Sequence, residues 1–356
     1  MQNEALAALE RYPVCGTVKS VETTGCGHIN RTFRVVAENG KEYLLQKVNN
    51  QIFPNVAGLM SNIRLVTEHL RRKILAAGGD PDRETMSVIP AGDGSPFVHL
   101  PDGSDWRLYL YITNAVTLQT VTRPQDFYWS AKAFGEFQSL LADFPAEKLC
   151  PVIPDFHNTP KRLRDLWAAA EADPLGRAAE VRKELAFFRE HEALGGVLEN
   201  AGLPLRVTHN DTKLNNLLFD ADTMQPLCVI DLDTIMPGFS LCDFGDSIRF
   251  GAATAAEDER DLSKVSCSLP LFEAFTTGWL EACGDTMTAE ERQLLPESAM
   301  VMTMECGSRF LADYLLGDTY FATSRPGQNL DRARTQIKLV QDMEAKLTDL
   351  RRIAKG

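Results

Sequence analysis

A chain of 356 residues with 44% hydrophobic content is long enough for two packed lobes around a substantial core. No apolar run approaches the roughly 20 residues that span a bilayer, and the start, Met1-Gln2-Asn3-Glu4-Ala5-Leu6, lacks the basic region and apolar stretch of a signal peptide, so a cytoplasmic protein is expected. A formal charge of -12 argues against broad affinity for nucleic acid or acidic membranes and favours a small-molecule partner, with no obligate protein partner indicated.

The first hundred residues carry strand signals at Thr17 to Thr24, Thr32 to Val36 and Tyr43 to Val48. Between the last two lies Glu38-Asn39-Gly40-Lys41, and Asn-Gly between strands signals a hairpin whose two central residues tolerate positive φ. A three-strand meander follows from this. After Pro54, apolar Val56, Leu59, Ile63, Val66, Leu70 and Ile74 recur at spacings of three and four, which predicts a helix ending near Gly78-Gly79. Phe97 to Leu100 and Trp106 to Ile112, joined by Pro101-Asp102-Gly103-Ser104, are two more strands.

From about Asn114 the pattern turns helical: Pro124 to Leu141, Lys161 to Glu171, Arg177 to Leu198, Ala289 to Leu316 with a break near Pro296, and Asn329 to Ile353. The last has one apolar stripe through Leu330, Ala333, Ile337, Val340, Met343, Leu347 and Leu350. One β-rich island, Leu205 to Asp233, interrupts this half, with strands flanking a turn at Asp220-Ala221-Asp222. The expected fold is therefore α+β with two lobes: an N-lobe of residues 1–113 with a small antiparallel sheet, and a mainly helical C-lobe of residues 114–356. The eight cysteines form no Cys-x-x-Cys pair, so they read as reduced core residues rather than a zinc site or a disulfide frame.

The chemistry concentrates in the island. His209-Asn210-Asp211-Thr212-Lys213-Leu214-Asn215-Asn216 precedes Ile230-Asp231-Leu232-Asp233, and Asp231 follows Asn216 by fifteen residues. Phosphoryl transfer asks a protein for a group to take the acceptor hydroxyl's proton and for oxygen ligands to a metal on the phosphates. Asp211 suits the first role, and Asn216 with Asp231 the second. His209 reads as a structural hydrogen-bonding residue, and the bland alternative for the whole stretch is a turn followed by an Asn cap. Asp243-Phe244-Gly245 is a second carboxylate that could be mistaken for the metal ligand, but its place after Pro237-Gly238 suits a brace for the loop.

This pattern resembles the His-x-Asp-x4-Asn and Ile-Asp signatures of the aminoglycoside phosphotransferase and choline kinase superfamily, which has the bilobal protein-kinase-like fold. A narrower likeness is to its branch of sugar 1-kinases, through Gly27-His28-Ile29-Asn30, Val207 to Lys213, Ile230 to Gly238, Asp243 to Gly251, Met304-Glu305-Cys306-Gly307 and Arg309 to Leu315. The likeness implies transfer of the γ-phosphate of ATP, with Mg²⁺, onto the anomeric hydroxyl of an N-acetylhexosamine. It gives Asp211 as catalytic base, Asn216 and Asp231 as magnesium ligands, and His28, Asp211, Arg309 and Tyr320 as the sugar-binding set.

The expected nucleotide contacts are Gly25, Gly27, Gln46, Lys47, Leu110 and Ile112. Gly25 and Gly27 lie between strands, where bare backbone amides can approach phosphate oxygens; the plain alternative is a hairpin turn. Kinase-like folds place a lysine on the third strand, yet Gln46 stands there with Lys47 one residue later, and strand alternation sends the two to opposite faces. Either Gln46 substitutes as a neutral donor or a register shift brings Lys47 inward. Glu305, Arg309 and Asp313, at i, i+4 and i+8, share a helix face, which taken alone reads first as a surface ion ladder and second as a polar cleft wall. Lys213 and Asp233 are further cleft candidates. Other readings stay open: a kinase of an aminoglycoside, choline or homoserine, a pseudokinase suggested by Gln46, and a His-x-Asp metal hydrolase disfavoured by the scattered histidines.

Overall fold

A computed structural model describes residues 2–24, 29–121 and 123–355, the side chain of Gln2 excepted. The chain opens with a helix the sequence pattern does not signal, α1 (Gln2–Leu9), whose Ala5, Ala8 and Leu9 are buried. The expected meander follows as β1 (Val18–Thr23), β2 (Arg31–Ala37) and β3 (Glu42–Val48). Alternation puts Phe33, Val35, Tyr43 and Leu45 on the buried face. At the hairpin only Gly40 has positive φ, so the turn is not the two-residue I′ type.

Helix α2 (Val56–Ala76) buries the stripe its spacing predicts and is capped by Asn55, which accepts from Gly58 N at 2.9 Å. Then come α3 (Pro81–Glu84), β4 (Val88–Ile89), β5 (Val98–His99), β6 (Asp105–Leu110) and β7 (Ala115–Thr117). The main sheet is antiparallel in the order β1-β2-β3-β6-β4, with β5 also paired to β6. Its core includes Trp106 and Leu108 together with the inward residues of α1, β2 and β3.

The remaining elements are α4 (Pro124–Leu140), α5 (Thr159–Ala172), α6 (Arg182–Glu190), α7 (Glu192–Gly195), α8 (Val197–Asn200), β8 (Arg206–Thr208), β9 (Leu217–Asp220), β10 (Pro226–Val229), β11 (Met236–Gly238), α9 (Ser240–Gly251), α10 (Leu269–Cys283), α11 (Ala289–Gln293), α12 (Leu295–Leu316), α13 (Gln328–Ala345) and α14 (Leu347–Lys355). The single helix expected over Arg177 to Leu198 is instead three short ones, interrupted at His191 and Gly196. The C-terminal stripe is two helices divided at Lys346. No helix among the described residues is long and apolar enough to cross a membrane.

The chain forms two compact units, neither of them continuous. The first combines Met1–Thr117 with Asp143–Pro154 and Leu217–Pro237; the second combines Leu118–Ala142, Asp155–Asn216 and Gly238–Gly356. A single cut after residue 113 gives residues 143–154 and 217–237 to the C-lobe, whereas their contacts lie with the N-terminal sheet region. β9 pairs with β7 through Phe219 and Val116, and Asn62 of α2 exchanges hydrogen bonds with the Cys150 backbone. The first unit is thus antiparallel sheet with α2, and the second is mostly helix.

In the second unit α12 is the central helix, packed against α5, α9 and α13, while α10 lies along α4. Gly245 lets α9 cross α12 closely, because a Cβ there would sit 2.5 Å from the Ser298 carbonyl oxygen. Its neighbour Phe244 is fully buried in edge contacts with Phe272, Phe275 and Trp279.

Candidate active site

The loop after β8 is held from beneath by one carboxylate. Asp243, 1% exposed near the start of α9, accepts from His209 N (2.9 Å) and Asn210 N (2.7 Å), and also from Gln138 Nε2 (2.8 Å). Burial pushes its carboxyl group upward, against the pull of His209 and the two backbone donors. So Asp243 braces the loop, Phe244 fills the core and Gly245 permits a helix crossing; none of the three faces outward as a ligand. His209 is fully buried between the rings of Phe134 and Phe137, and its Nδ1 lies 3.2 Å from Asp211 N.

With its root fixed in this way, the loop presents Asp211 at its half-exposed outer edge. Lys213 Nζ lies 2.6 Å from Asp211 Oδ1, while Asn216 Nδ2 donates to Asp211 Oδ2 (3.1 Å) and to its carbonyl (2.8 Å). Burial acts to discharge the Lys213 ammonium, but Asp211 beside it holds the lysine above its ordinary value. Because the Asn216 amide nitrogen is committed to Asp211, its Oδ1 faces away from that carboxylate.

Still within the second unit, His157 ties the loop to α12. Its Nε2 lies 3.3 Å from the Asn210 carbonyl and its Nδ1 2.8 Å from Glu305 Oε1, while Thr159 Oγ1 donates to Glu305 Oε2 at 2.8 Å. Burial works against charge on both partners; their mutual attraction outweighs it, raising His157 and lowering Glu305. One turn beyond Glu305, the Arg309 guanidinium lies 5.4–5.9 Å from the ring centres of Phe156, Tyr320 and Phe321. Asp313, one turn further, accepts from the backbone N–H groups of Thr319, Tyr320 and Phe321 and fixes that aromatic loop. The three α12 residues therefore form no surface ion ladder: each holds a different partner. Tyr320 itself is 72% exposed.

In the first unit, β9 and β10 pair antiparallel with Leu217 opposite Val229. Asp231, two residues after β10, adopts a left-handed backbone (φ 59°, ψ 59°) ahead of a 3₁₀ turn at Leu232–Thr234. That turn leaves Asp231 exposed and buries Asp233. Asp233 Oδ2 accepts from Asn30 Nδ2 at 2.6 Å, and Arg107 Nη1 lies 2.5 Å from Asp233 Oδ1. Arg107 is 2% exposed, opposite Gln46 in the β3–β6 register, and donates through Nε to Gln46 Oε1 at 2.9 Å. Burial opposes its charge, yet Asp233, Tyr109 and Asp231 hold it firmly protonated.

The β3 question is resolved by this register, which runs unshifted from Arg31↔Lys47 to Lys47↔Trp106. Lys47 does not turn to the Gln46 side: its ammonium lies 3.1 Å from Glu4 Oε2 and 5.6 Å over the Trp106 ring. Gln46 instead bridges Thr32 and Arg107. Leu110 ends β6 and Ile112 follows it, both half-buried. Gly25, Gly27 and His28 lie outside the described residues. Arg107, Phe156, His157 and Phe321 are absent from the residues the sequence singles out. For Arg107 a signal existed, a cation inside the apolar strand Trp106 to Leu110 and near the missing lysine.

Among the described residues no three His, Cys, Asp or Glu side chains gather as a metal cage, and the seven described cysteines are free thiols. A cavity of about 330 Å³ in the second unit is lined by Leu214, Arg249, Phe250, Glu257 and Leu339, among others; Asp211, Asn216 and Arg309 are not among its walls.

The fold has counterparts among solved structures. The structure is similar over 98% of both chains to a microcompartment-associated aminopropanol kinase (TM-score 0.63, 16% identity). It is similar to an amicoumacin kinase in complex with AMP-PNP, Ca²⁺ and its ligand (TM-score 0.56, 13% identity, 97% of this chain and 96% of that one). A choline kinase from Streptococcus pneumoniae gives TM-score 0.56 at 13% identity, over 97% of this chain and 100% of that one. These likenesses carry the fold, a protein-kinase-like one with an antiparallel-sheet N-terminal region and a mostly helical C-terminal region. Residues 21–267, well over half the chain and including every element from β2 through α9, match the phosphotransferase enzyme family, and the protein belongs to that family of small-molecule kinases.

Proposed function

We propose that the protein is an ATP- and Mg²⁺-dependent N-acetylhexosamine 1-kinase, acting on GlcNAc or GalNAc at the anomeric hydroxyl. Asp211 accepts the proton of that hydroxyl as it attacks the γ-phosphorus of ATP. A hemiacetal hydroxyl is more acidic than an ordinary alcohol, so an unmodified aspartate suffices as base. Lys213, paired to Asp211, supplies positive charge where the transferred group gains negative charge.

For the metal, the donor chemistry fits: Asn216 Oδ1 and the Asp231 carboxylate are hard oxygen ligands, and Mg²⁺ usually takes one or two protein oxygens with phosphates and water completing its shell. The pairing of Leu217 with Val229 supports their joint role, since the chain enters and leaves the hairpin at the same end, with Asn216 just before and Asp231 just after. Asn216 and Asp231 would hold such an ion, and when bound it would supply positive charge against the charge developing on the transferred phosphoryl group. In the nucleotide site, Gly25, Gly27, Gln46, Leu110 and Ile112 are proposed contacts; Lys47, engaged with Glu4, is not.

The observation that carries the sugar assignment is Arg309. A half-buried guanidinium framed by three aromatic rings, and connected through Glu305 and His157 to the catalytic loop, suits a neutral, oxygen-rich acceptor. A cationic amino alcohol or aminoglycoside would meet like charge there. His28 and Tyr320 complete the proposed sugar contacts. The test is turnover with ATP and Mg²⁺ on two panels, free hexoses including GlcNAc and GalNAc, and cationic alcohols including choline and aminoglycosides. The expected product is ADP with an acid-labile sugar phosphate; turnover confined to the cationic panel would overturn the assignment.

A further inference from the structure

In protein kinases a β3 lysine pairs with a glutamate from the helix packed on the sheet, and that pair must be in place for catalysis. Here β3 carries Gln46, and on the packed helix α2 it is the Met60 thioether that lies 3.9 Å from Arg107 Nη1. The cation has moved one strand over. Arg107 of β6 stands directly opposite Gln46, receives its carboxamide oxygen, and pairs with Asp233 at 2.5 Å. The anion has moved as well, from the helix to the segment holding the proposed metal ligand.

We propose that the Arg107–Asp233 pair replaces the strand-lysine and helix-glutamate pair of kinase folds, with Arg107 acting as a positioning residue that sets Asp231 for the metal. This rests on the reading of Asp231 as a metal ligand. Arg107, at 2% exposure, is too enclosed to serve mainly as a phosphate contact. What it grips is the second residue after Asp231, across a backbone turned left-handed at Asp231 itself. With Asp233 anchored inward, that turn aims the Asp231 carboxylate outward. Asn30, on the other Asp233 oxygen and also accepting from Asn49 N, ties the same anchor to the start of β2. A lysine on β3 would be redundant beside this clamp, which accounts for Lys47 facing Glu4.

The test compares the full-length protein with Arg107→Met, Arg107→Lys, Lys47→Met and the double variant Gln46→Lys/Arg107→Gln, which returns the cation to β3. Mn²⁺ binding in the presence of ADP is read by electron paramagnetic resonance, so no acceptor need be known, and melting temperature is recorded alongside. Arg107→Met is expected to weaken Mn²⁺ binding tenfold or more while ADP affinity changes less than threefold. Arg107→Lys, which keeps the charge but cannot hold Gln46 and Asp233 together, should fall between, and it carries the test if Arg107→Met does not fold. The double variant should recover most of the loss. Unchanged Mn²⁺ affinity in folded Arg107 variants, or a larger loss in Lys47→Met than in Arg107→Met, overturns the proposal. Wild-type protein that binds Mn²⁺ with ADP but phosphorylates no hexose removes the sugar reading and leaves the clamp standing; wild-type protein that binds no Mn²⁺ with ADP removes both.

Discussion

Asp211 sits between a cation and an amide donor, so its replacement separates chemistry from binding. Asp211→Asn keeps size and polarity but removes the proposed proton acceptor; kcat should fall by about 10²–10⁴-fold, the usual contribution of a positioned base. ATP affinity, measured by titration calorimetry, should hold. On the proposed function, Arg309→Ala should instead raise the KM for the proposed sugar acceptor about 10–100-fold, the worth of hydrogen bonds to a charged group, ~1.5–3 kcal/mol. Arg309→Lys should recover little of this, since an ammonium lacks the planar fork. At this scale the sequence disclosed the groups whose partners lie within a few residues. Asp211, Lys213 and Asn216 interact inside one loop, and the spacing that identifies them also fixes their geometry. Arg107 and Asp233 meet only through strand register and a distant hairpin, and no local pattern relates them. His157 was hidden likewise: its significance lies in Glu305, far along the chain on α12.

Helices and strands were legible where one face is buried and the other wet. α2 and α4 follow their apolar spacing, and β2 and β3 their alternation. α9 escaped because burial on most sides, from Ser240 through Arg249, erases the period, whereas α10 went unread although its exposed face recurs at Pro270, Glu273, Thr277 and Glu281. The crossing of α9 on α12 has a measurable cost if filled. Gly245→Ala should destabilise the protein by about 1–3 kcal/mol, the range for overpacking, read as a lower urea midpoint. The His157–Glu305 bridge between the segment before α5 and α12 should appear in stability against pH. His157 is raised above its ordinary 6.5, so its contribution is full below that value and is lost as pH climbs through the raised one. Glu305 is lowered from 4.5, so its contribution is present above that value and fades as pH drops through the lowered one. Melting temperature followed from about pH 4 to 9 should lose its alkaline decline in His157→Gln and its acid decline in Glu305→Gln. Each substitution should also cost roughly 3–5 kcal/mol near neutrality, because the remaining partner is left buried and unpaired.

For the molecule as a whole, composition foretold two lobes but not how the chain is shared between them. A cut between sheet-rich and helix-rich sequence is visible from residue patterns; that residues 143–154 and 217–237 return to the N-terminal unit is set by pairings with no local signal. It follows that a fragment of residues 1–117 should show no cooperative urea transition by circular dichroism, since β7 lacks β9 and α2 lacks its partner at Cys150. Co-expression with the remainder of the chain should restore one. The same interleaving bears on synthesis. When β7 leaves the ribosome, the strand that pairs with it is still about a hundred residues from being translated, which at roughly 5–20 residues per second leaves its edge bare for on the order of 5–20 s. The nascent protein therefore passes through an interval in which its earliest-made third is exposed to chaperones and to sticking, and slow-codon placement in that interval should alter yield without altering the finished enzyme.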